Sequence, residues 1–186
     1  MLKKTVGVLA LQGDFEAHAR ALREAQALPV EVRTAQDLDR CDGLIIPGGE
    51  STTMLKLIGL ENLLQPLRAF GQSKPIFGTC AGAILLAKEV SAPAQPSLAL
   101  MDIAVERNAY GRQLDSRVVK IDLNGQETEA VFIRAPIIRR VGAGVKVLAS
   151  YQGTPVWVEQ GLHMATTFHP ELCANSYIHQ HFTAKL

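Results

Sequence analysis

Apolar residues fall along the chain in two rhythms. TVGVLAL (5–11) is a continuous run rich in β-branched residues, the pattern of a strand buried on both faces. FEAHARALREAQAL (15–28) places Phe15, Ala19, Leu22 and Ala25 along one side of a helix. Pro29 closes that helix, and VEVRT reads as a second strand. DGLIIPGG (42–49) is a third apolar strand running into a Pro-Gly-Gly turn. STTMLKLIGLENLLQPLRAF (51–70) is helical, with Ser51 as its N-cap and Pro66 as a break or kink. PIFGTC (75–80) is a fourth strand and AGAILLAKEV (81–90) the helix after it, followed by the loop SAPAQPS (91–97).

Strands alternating with helices imply right-handed crossovers and a mainly parallel sheet. The texture then changes. RVVKIDLNGQETEAVFI contains Asn124-Gly125, a hairpin signal. KVLASYQGTPVWVEQGLHMATTFHPE reads as several short strands with Gly and Pro turns. NSYIHQHFTAKL is a closing helix capped by Asn175 or Ser176. The expected fold is α/β, a mainly parallel sheet flanked by helices with an antiparallel extension. With 186 residues and no linker, repeat or low-complexity tract, residues 1–186 are expected to form one domain.

Composition narrows the function classes. Hydrophobic residues make up 47% and charged residues 20%, with a formal net charge of +1. That is ordinary globular usage without a field for nucleic acid or an anionic membrane. No basic block with interleaved aromatics occurs, so no nucleic-acid partner is expected. Three cysteines without paired spacing make no disulfide framework and fit a reducing compartment. The start, MLKKTVGVLALQGDF, has too short an apolar run for a signal peptide and meets Asp14 and Glu16 at once. No stretch approaches the ~20 apolar residues of a membrane helix. A cytoplasmic protein without membrane attachment is expected.

The chemistry starts at Gly78-Thr79-Cys80-Ala81-Gly82, which has the glycine-x-nucleophile-x-glycine form of a nucleophile elbow. A sharp strand-to-helix turn would lift Cys80 above the carboxyl ends of the strands, the edge where open α/β sheets bind ligands. A helix N-terminus there favours thiolate. His169-Pro170-Glu171 supplies a base and its partner. In an extended segment residues i and i+2 face one side, so Glu171 would orient His169 for Cys80. Pro47-Gly48-Gly49-Glu50-Ser51 is a turn whose glycines let backbone N–H groups approach a ligand. Gly48, Gly49 and the N–H of Ala81 are candidates for an oxyanion hole. His163, His169, Cys173, His179 and His181 are close in sequence but fit no compact zinc spacing, so no metal site is expected. Cys41 and Cys173 are read as structural or incidental.

LQGDFEAH, IIPGGEST, FGTCAG, MDIAVERNAYGRQ, FIRAP and FHPEL together resemble the glutaminase subunits of pyridoxal 5′-phosphate synthases, within the triad-type (class I) glutamine amidotransferases. The likeness runs from residue 11 to 172. The elbow and HPE mark the wider class; PGGEST with VERNAYGRQ and FIRAP is specific to the family. The resemblance implies a flavodoxin-like α/β fold and hydrolysis of L-glutamine to glutamate and ammonia. The ammonia would pass to a separate synthase subunit in a large hetero-oligomer, and no cofactor or metal is needed. Cys80 would be the nucleophile, His169 the base and Glu171 its orienting partner. Gly49, Glu50, Ser51, Arg107, Ile133 and Arg134 match glutamine-contacting positions. Gln12 and Gly13 match a segment near the site and the subunit interface. The chemistry agrees: Glu50 suits the α-ammonium of glutamine, and Arg107 and Arg134 suit its α-carboxylate.

The chain also departs from the family pattern. LCANSYIHQHF follows the HPE where relatives more often carry Thr and an acidic residue, and SAPAQPSLA lacks a histidine common before MDI. Ile84 stands where many other amidotransferases carry Gln, in agreement with this family. Without a second domain to consume ammonia, the chain is expected to need its synthase and to be poorly active alone, its oxyanion hole completed on docking. Two other readings stay open: the glutaminase of another pathway, and a non-catalytic regulatory subunit of the same fold.

Overall fold

The computed structural model describes residues 3–108, 117–123 and 126–186. The first half is built from β1 (Thr5–Leu9), α1 (Phe15–Glu24), β2 (Leu28–Val32), α2 (Ala35–Leu38), β3 (Gly43–Ile46), α3 (Ser51–Leu60), α4 (Leu64–Gly71), β4 (Ile76–Thr79) and α5 (Ala81–Leu86). The second half contributes β5 (Ala87–Ser91), β6 (Met101–Glu106), β7 (Arg117–Leu123), β8 (Gln126–Phe132), β9 (Ile137–Val141), β10 (Lys146–Tyr151), β11 (Thr154–Gln160), β12 (His163–Thr166), a 3-10 turn (Pro170–Leu172) and α6 (Tyr177–Thr183).

The main sheet has the strand order β10-β11-β12-β4-β3-β1-β2. β2, β1, β3, β4 and β12 run parallel, and β11 and β10 continue the sheet antiparallel. This is the mainly parallel sheet with an antiparallel extension that the pattern predicts. Both faces are buried. Leu44 and Ile46 pack into one core with Met54, Ile58 and Leu85, while Ile45 between them packs into the other with Phe77, Phe168 and Phe182. Strand side chains alternate between faces, so an unbroken apolar run feeds both cores.

Two smaller sheets frame one end. β5 pairs parallel to β6, and β6 pairs antiparallel to β9. β7 and β8 form an antiparallel pair. The Asn124-Gly125 turn signal lies between them, outside the described residues.

Several boundaries differ from the sequence expectation. The 51–70 helix is two helices. The break falls at Glu61–Leu63, where Asn62 takes a left-handed φ of 55°, while Pro66 sits in the first turn of α4, where its missing N–H is not needed. The N-cap of α3 is Glu50, not Ser51. The helix expected over 81–90 ends at Leu86, and Ala87 starts β5. Pro29 does not close a helix: α1 ends at Glu24 and Pro29 lies within β2, an edge strand that tolerates its lost donor. The closing helix begins at Tyr177, whose N–H donates to Asn175 Oδ1 at 3.1 Å.

Candidate active site

β1, β3, β4 and β12 deliver their carboxyl ends to one edge of the sheet, where the candidate residues meet. Cys80 occupies the single residue between β4 and α5, with φ 50° and ψ −103°. A non-glycine residue in that region is held by its surroundings. Its N–H donates to Thr166 O at 2.9 Å, tying the elbow to β12. The flanking glycines are required by close approach. A Cβ on Gly82 would lie 2.0 Å from Ile46 O, and one on Gly78 would lie 2.5 Å from the Gly82 carbonyl.

His169 leaves β12 and is fixed by its N–H to Val131 O at 2.8 Å. Its Nδ1 is 2.7 Å from Glu171 Oε1. The sequence argument reached this pair through an extended strand, but the backbone instead turns into a 3-10 helix at Pro170–Leu172. That turn folds Glu171 back under the ring. Both side chains are buried, Glu171 fully and His169 to 10% exposure. Burial opposes charge on His169, yet hydrogen bonding and charge from Cys80 and Glu171 outweigh it and raise the pKa to about 10. The His169 Nε2 has no partner at full hydrogen-bond geometry. Burial also opposes charge on Glu171, but the neighbouring His18 and bonding to His169 hold its pKa below the usual value.

A cavity of about 560 Å³ opens over Cys80 and His169. Its lining includes Gly49, Glu50, Ser51, Arg107, Ile133 and Arg134, so every residue matched to glutamine contact faces one space. Its size is that of a small-molecule site. Ile84 and Asn108 complete the lining. Asn108 was not singled out from the sequence, although it sits inside the VERNAYGRQ segment. Glu50 caps α3, its carboxylate accepting from Thr52 N at 3.0 Å and Thr53 N at 2.7 Å. Arg107, following β6, reaches Thr52 Oγ1 at 2.7 Å and Glu50 Oε1 at 3.4 Å. Its buried Nε has no partner. Arg134, after β8, is exposed and takes φ 46°. The Cys80 thiol lies 3.8 Å from Ile133 O.

The Gly48-Gly49 turn packs directly on His169 and Cys80. A Cβ on Gly48 would lie 2.5 Å from Cε1 of His169 and 3.3 Å from Cys80 Cβ. Gln12 and Gly13 brace it from behind. Gln12 Oε1 accepts from Glu50 N at 3.1 Å, and a Cβ on Gly13 would fall 1.9 Å from Gly48 O. Ala81 opens α5 beside the nucleophile.

The other cysteines lie apart from this chemistry. Cys41 is buried and donates to Asp37 O at 3.3 Å. Cys173 donates to Glu129 O at 3.0 Å, and burial pushes its pKa up to about 11. Among the described residues, no three His, Cys, Asp or Glu side chains converge on a metal site. His163 and His181 are engaged elsewhere, with Ile76 N and Glu159 respectively. The sequence reading gave His18 no role and weighed His179 only as a metal ligand; both are wholly buried behind Glu171.

Comparison with known proteins shows the family. Residues 8–186 match the model of the SNO glutamine amidotransferase family. The pyridoxal 5′-phosphate synthase subunit PdxT of Solibacter usitatus is 57% identical, over 98% of this chain and 100% of its own length. That of Koribacter versatilis is 52% identical, over 95% and 93%. A crystal structure of a glutamine amidotransferase superposes with TM-score 0.91 at 45% identity, covering 97% of both chains. A glutamine amidotransferase from Thermotoga maritima shares the fold at 14% identity and TM-score 0.62, covering 91% of this chain and 76% of its own.

Proposed function

The chain belongs to the SNO glutamine amidotransferase family, and within it we propose that Cys80, His169 and Glu171 hydrolyse the side-chain amide of L-glutamine. It is the glutaminase subunit of a pyridoxal 5′-phosphate synthase and supplies ammonia to the synthase subunit.

The observation that carries the residue assignment is the 2.7 Å pair of His169 Nδ1 and Glu171 Oε1, set beside a cysteine held at φ 50° over a shared cavity. With its pKa near 10, His169 is an imidazolium at neutral pH and carries the proton that the leaving group needs. The thiolate attacks the amide carbon of glutamine, and the carbonyl oxygen becomes an oxyanion near Gly48, Gly49 and the N–H of Ala81. His169 Nε2–H protonates the amide nitrogen. The C–N bond breaks, ammonia leaves, and a γ-glutamyl thioester remains. The now neutral His169 takes a proton from water as its oxygen attacks the thioester carbonyl, and the C–S bond breaks to give glutamate and regenerate the thiolate. Glu171 stays ionised and holds the ring throughout. Glu50 takes the α-ammonium, and Arg107 and Arg134 the α-carboxylate.

We place the protein in a large hetero-oligomer with its synthase in the cytoplasm. Three free cysteines support a reducing compartment, and no helix among the described residues is long and apolar enough to cross a membrane. The test is glutamate release from L-glutamine, with and without the synthase. Synthase-stimulated release that disappears in Cys80→Ala is expected. Release that survives the substitution would remove Cys80 from the mechanism.

A further inference from the structure

Behind the triad runs a buried line of polar groups that the reaction scheme leaves unused. His18 on α1 and His179 on α6 are both 0% exposed. His18 Nδ1 is 3.0 Å from His179 Nε2. His18 Nε2 is 3.1 Å from Thr79 Oγ1, in the residue before the nucleophile, and 3.3 Å from Glu171 Oε2. Oε2 has no partner at full hydrogen-bond geometry, so its approach to His18 Nε2 is electrostatic. The order in space is His179, His18, Glu171, His169, Cys80.

Chemistry fixes the protons along this line. Glu171 is ionised, so a lone pair on His18 Nε2 facing it would be repulsive; Nε2 must carry the hydrogen. Burial lowers the His18 pKa despite Glu171 and Asp14, so the ring is neutral at pH 7 and Nδ1 is an acceptor. His179 must then donate from its Nε2. Its own Nδ1 becomes a bare acceptor, in agreement with that atom being buried and without a partner. His179 is also neutral, its pKa lowered to about 3 by burial and by His18. This assignment pairs the facing nitrogens of His18 and His179 and leaves His179 Nδ1 bare.

We propose that His18, locked in this tautomer by His179, is a positioning residue for glutamine hydrolysis. Its Nε2–H is bonded to Thr79 Oγ1, and the positive end of that N–H lies 3.3 Å from Glu171 Oε2, which favours the ionised carboxylate with Oε1 on His169 Nδ1 and Nε2 of His169 on the side of Cys80. The charged and titratable groups facing this line are Asp14 at the N-cap of α1, Glu171 on the 3-10 turn, His169 beyond it and His179 from α6. Arg20 and Glu24 of α1, with Cys173, border a cavity of about 230 Å³ that Glu171 also lines. Removing the N–H makes the carboxylate easier to protonate, and a protonated Glu171 no longer holds His169. The acid limb of kcat/KM therefore moves to higher pH. The inference rests on the glutaminase reading above.

The experiment uses the full chain with its synthase and compares His18→Leu, His18→Gln and wild type. Gln can present an N–H where Nε2 stood; Leu cannot. The Leu variant is expected to lose kcat by about 10- to 100-fold, with the acid limb displaced upward by about one pH unit. KM should change far less, and the Gln variant should recover much of the loss and the original limb. Equal losses in both variants with an unmoved limb, or a fully active Leu variant, would overturn the proposal. If His18→Leu does not fold, His179→Leu carries the test, because it frees His18 to take the wrong tautomer; an unmoved limb there overturns it equally. An inactive wild type in the same assay would count against the glutaminase reading instead.

Discussion

His169 holds a proton that its burial alone would strip away. Hydrogen bonding and charge from Cys80 and Glu171 reverse that, lifting the ring from 6.5 to about 10. Replacing the carboxylate with an amide in Glu171→Gln removes a charge-assisted hydrogen bond, of order 1.5–3 kcal/mol. The His169 pKa should fall by about one to two units in an NMR titration, and kcat should drop by on the order of 10²-fold. An unmoved titration would show that Glu171 does not set the ring's charge. The sign for stability follows from a raised pKa. The contribution is complete below pH 6.5 and is lost as pH rises through about 10. Urea midpoints of wild type and Glu171→Gln should therefore draw closer above that pH. At this scale the sequence marked Cys80 by its glycines and the His169-Glu171 pair by its spacing. Arg107 and Arg134 came only from the family likeness, because an isolated arginine in a sequence carries no sign of what it faces. His18 closes the LQGDFEAH segment, but nothing in the sequence shows what it faces: its proposed role depends on α6, which lies over 150 residues away in the chain.

Element boundaries explain a second group of readings. The cap of α3 went to Glu50 because that residue has the extended backbone of an N-cap, φ −99° and ψ 113°, and its carboxylate reaches two of the orphan N–H groups. Ser51 lies one residue inside the helix and donates instead to Gln95 Oε1 at 3.2 Å. Glu50 therefore has a structural role beside its proposed contact with the ammonium of glutamine. Glu50→Ala should cost about 1 kcal/mol of stability and raise KM, whereas Glu50→Gln should retain most of the cap and raise KM alone. Burial works against the Glu50 carboxylate, but the Thr53 and Thr52 N–H groups hold its pKa below 4.5. The capping difference should thus be present above that value and fade as pH falls through the folded pKa. Equal stability of all three proteins near pH 7 would sink the dual role. The elbow is stricter. Ile46 O leaves no room for a Cβ at Gly82, and both partners are backbone in regular elements. Gly82→Ala is expected to destabilise by about 3 kcal/mol, read as a lowered thermal midpoint. The glycines of the elbow were visible in the sequence; the strand they press against was not, since only the sheet order brings β3 beside α5.

At the scale of the whole molecule, the parallel order β1-β3-β4-β12 is what makes a site out of distant segments. Alternating strands and helices in the sequence imply that all these carboxyl ends share one edge. They do not give the order across the sheet, so they could not show that residues 12–13 would brace residues 48–50. That contact gives the expected dependence on the synthase a physical route. Gly13, at φ 94°, touches Gly48 O, and Gln12 holds the N–H of Glu50. The loop after β1 therefore sets the turn that faces the nucleophile, and any partner pressing on that loop acts on the turn. Gly13→Ala would place a Cβ 1.9 Å from Gly48 O and strain a left-handed backbone. The turn must move, while β1 and the core beneath it need not. Displacement of about 1 Å in a positioning group is enough to cost on the order of 10²-fold. Glutamine hydrolysis in the presence of the synthase should fall by about that factor in Gly13→Ala, while far-UV circular dichroism and alkylation of Cys80 stay close to wild type. Full synthase-stimulated turnover in that variant would mean that the loop does not control the turn, and the route from partner to oxyanion site would have to run through another element.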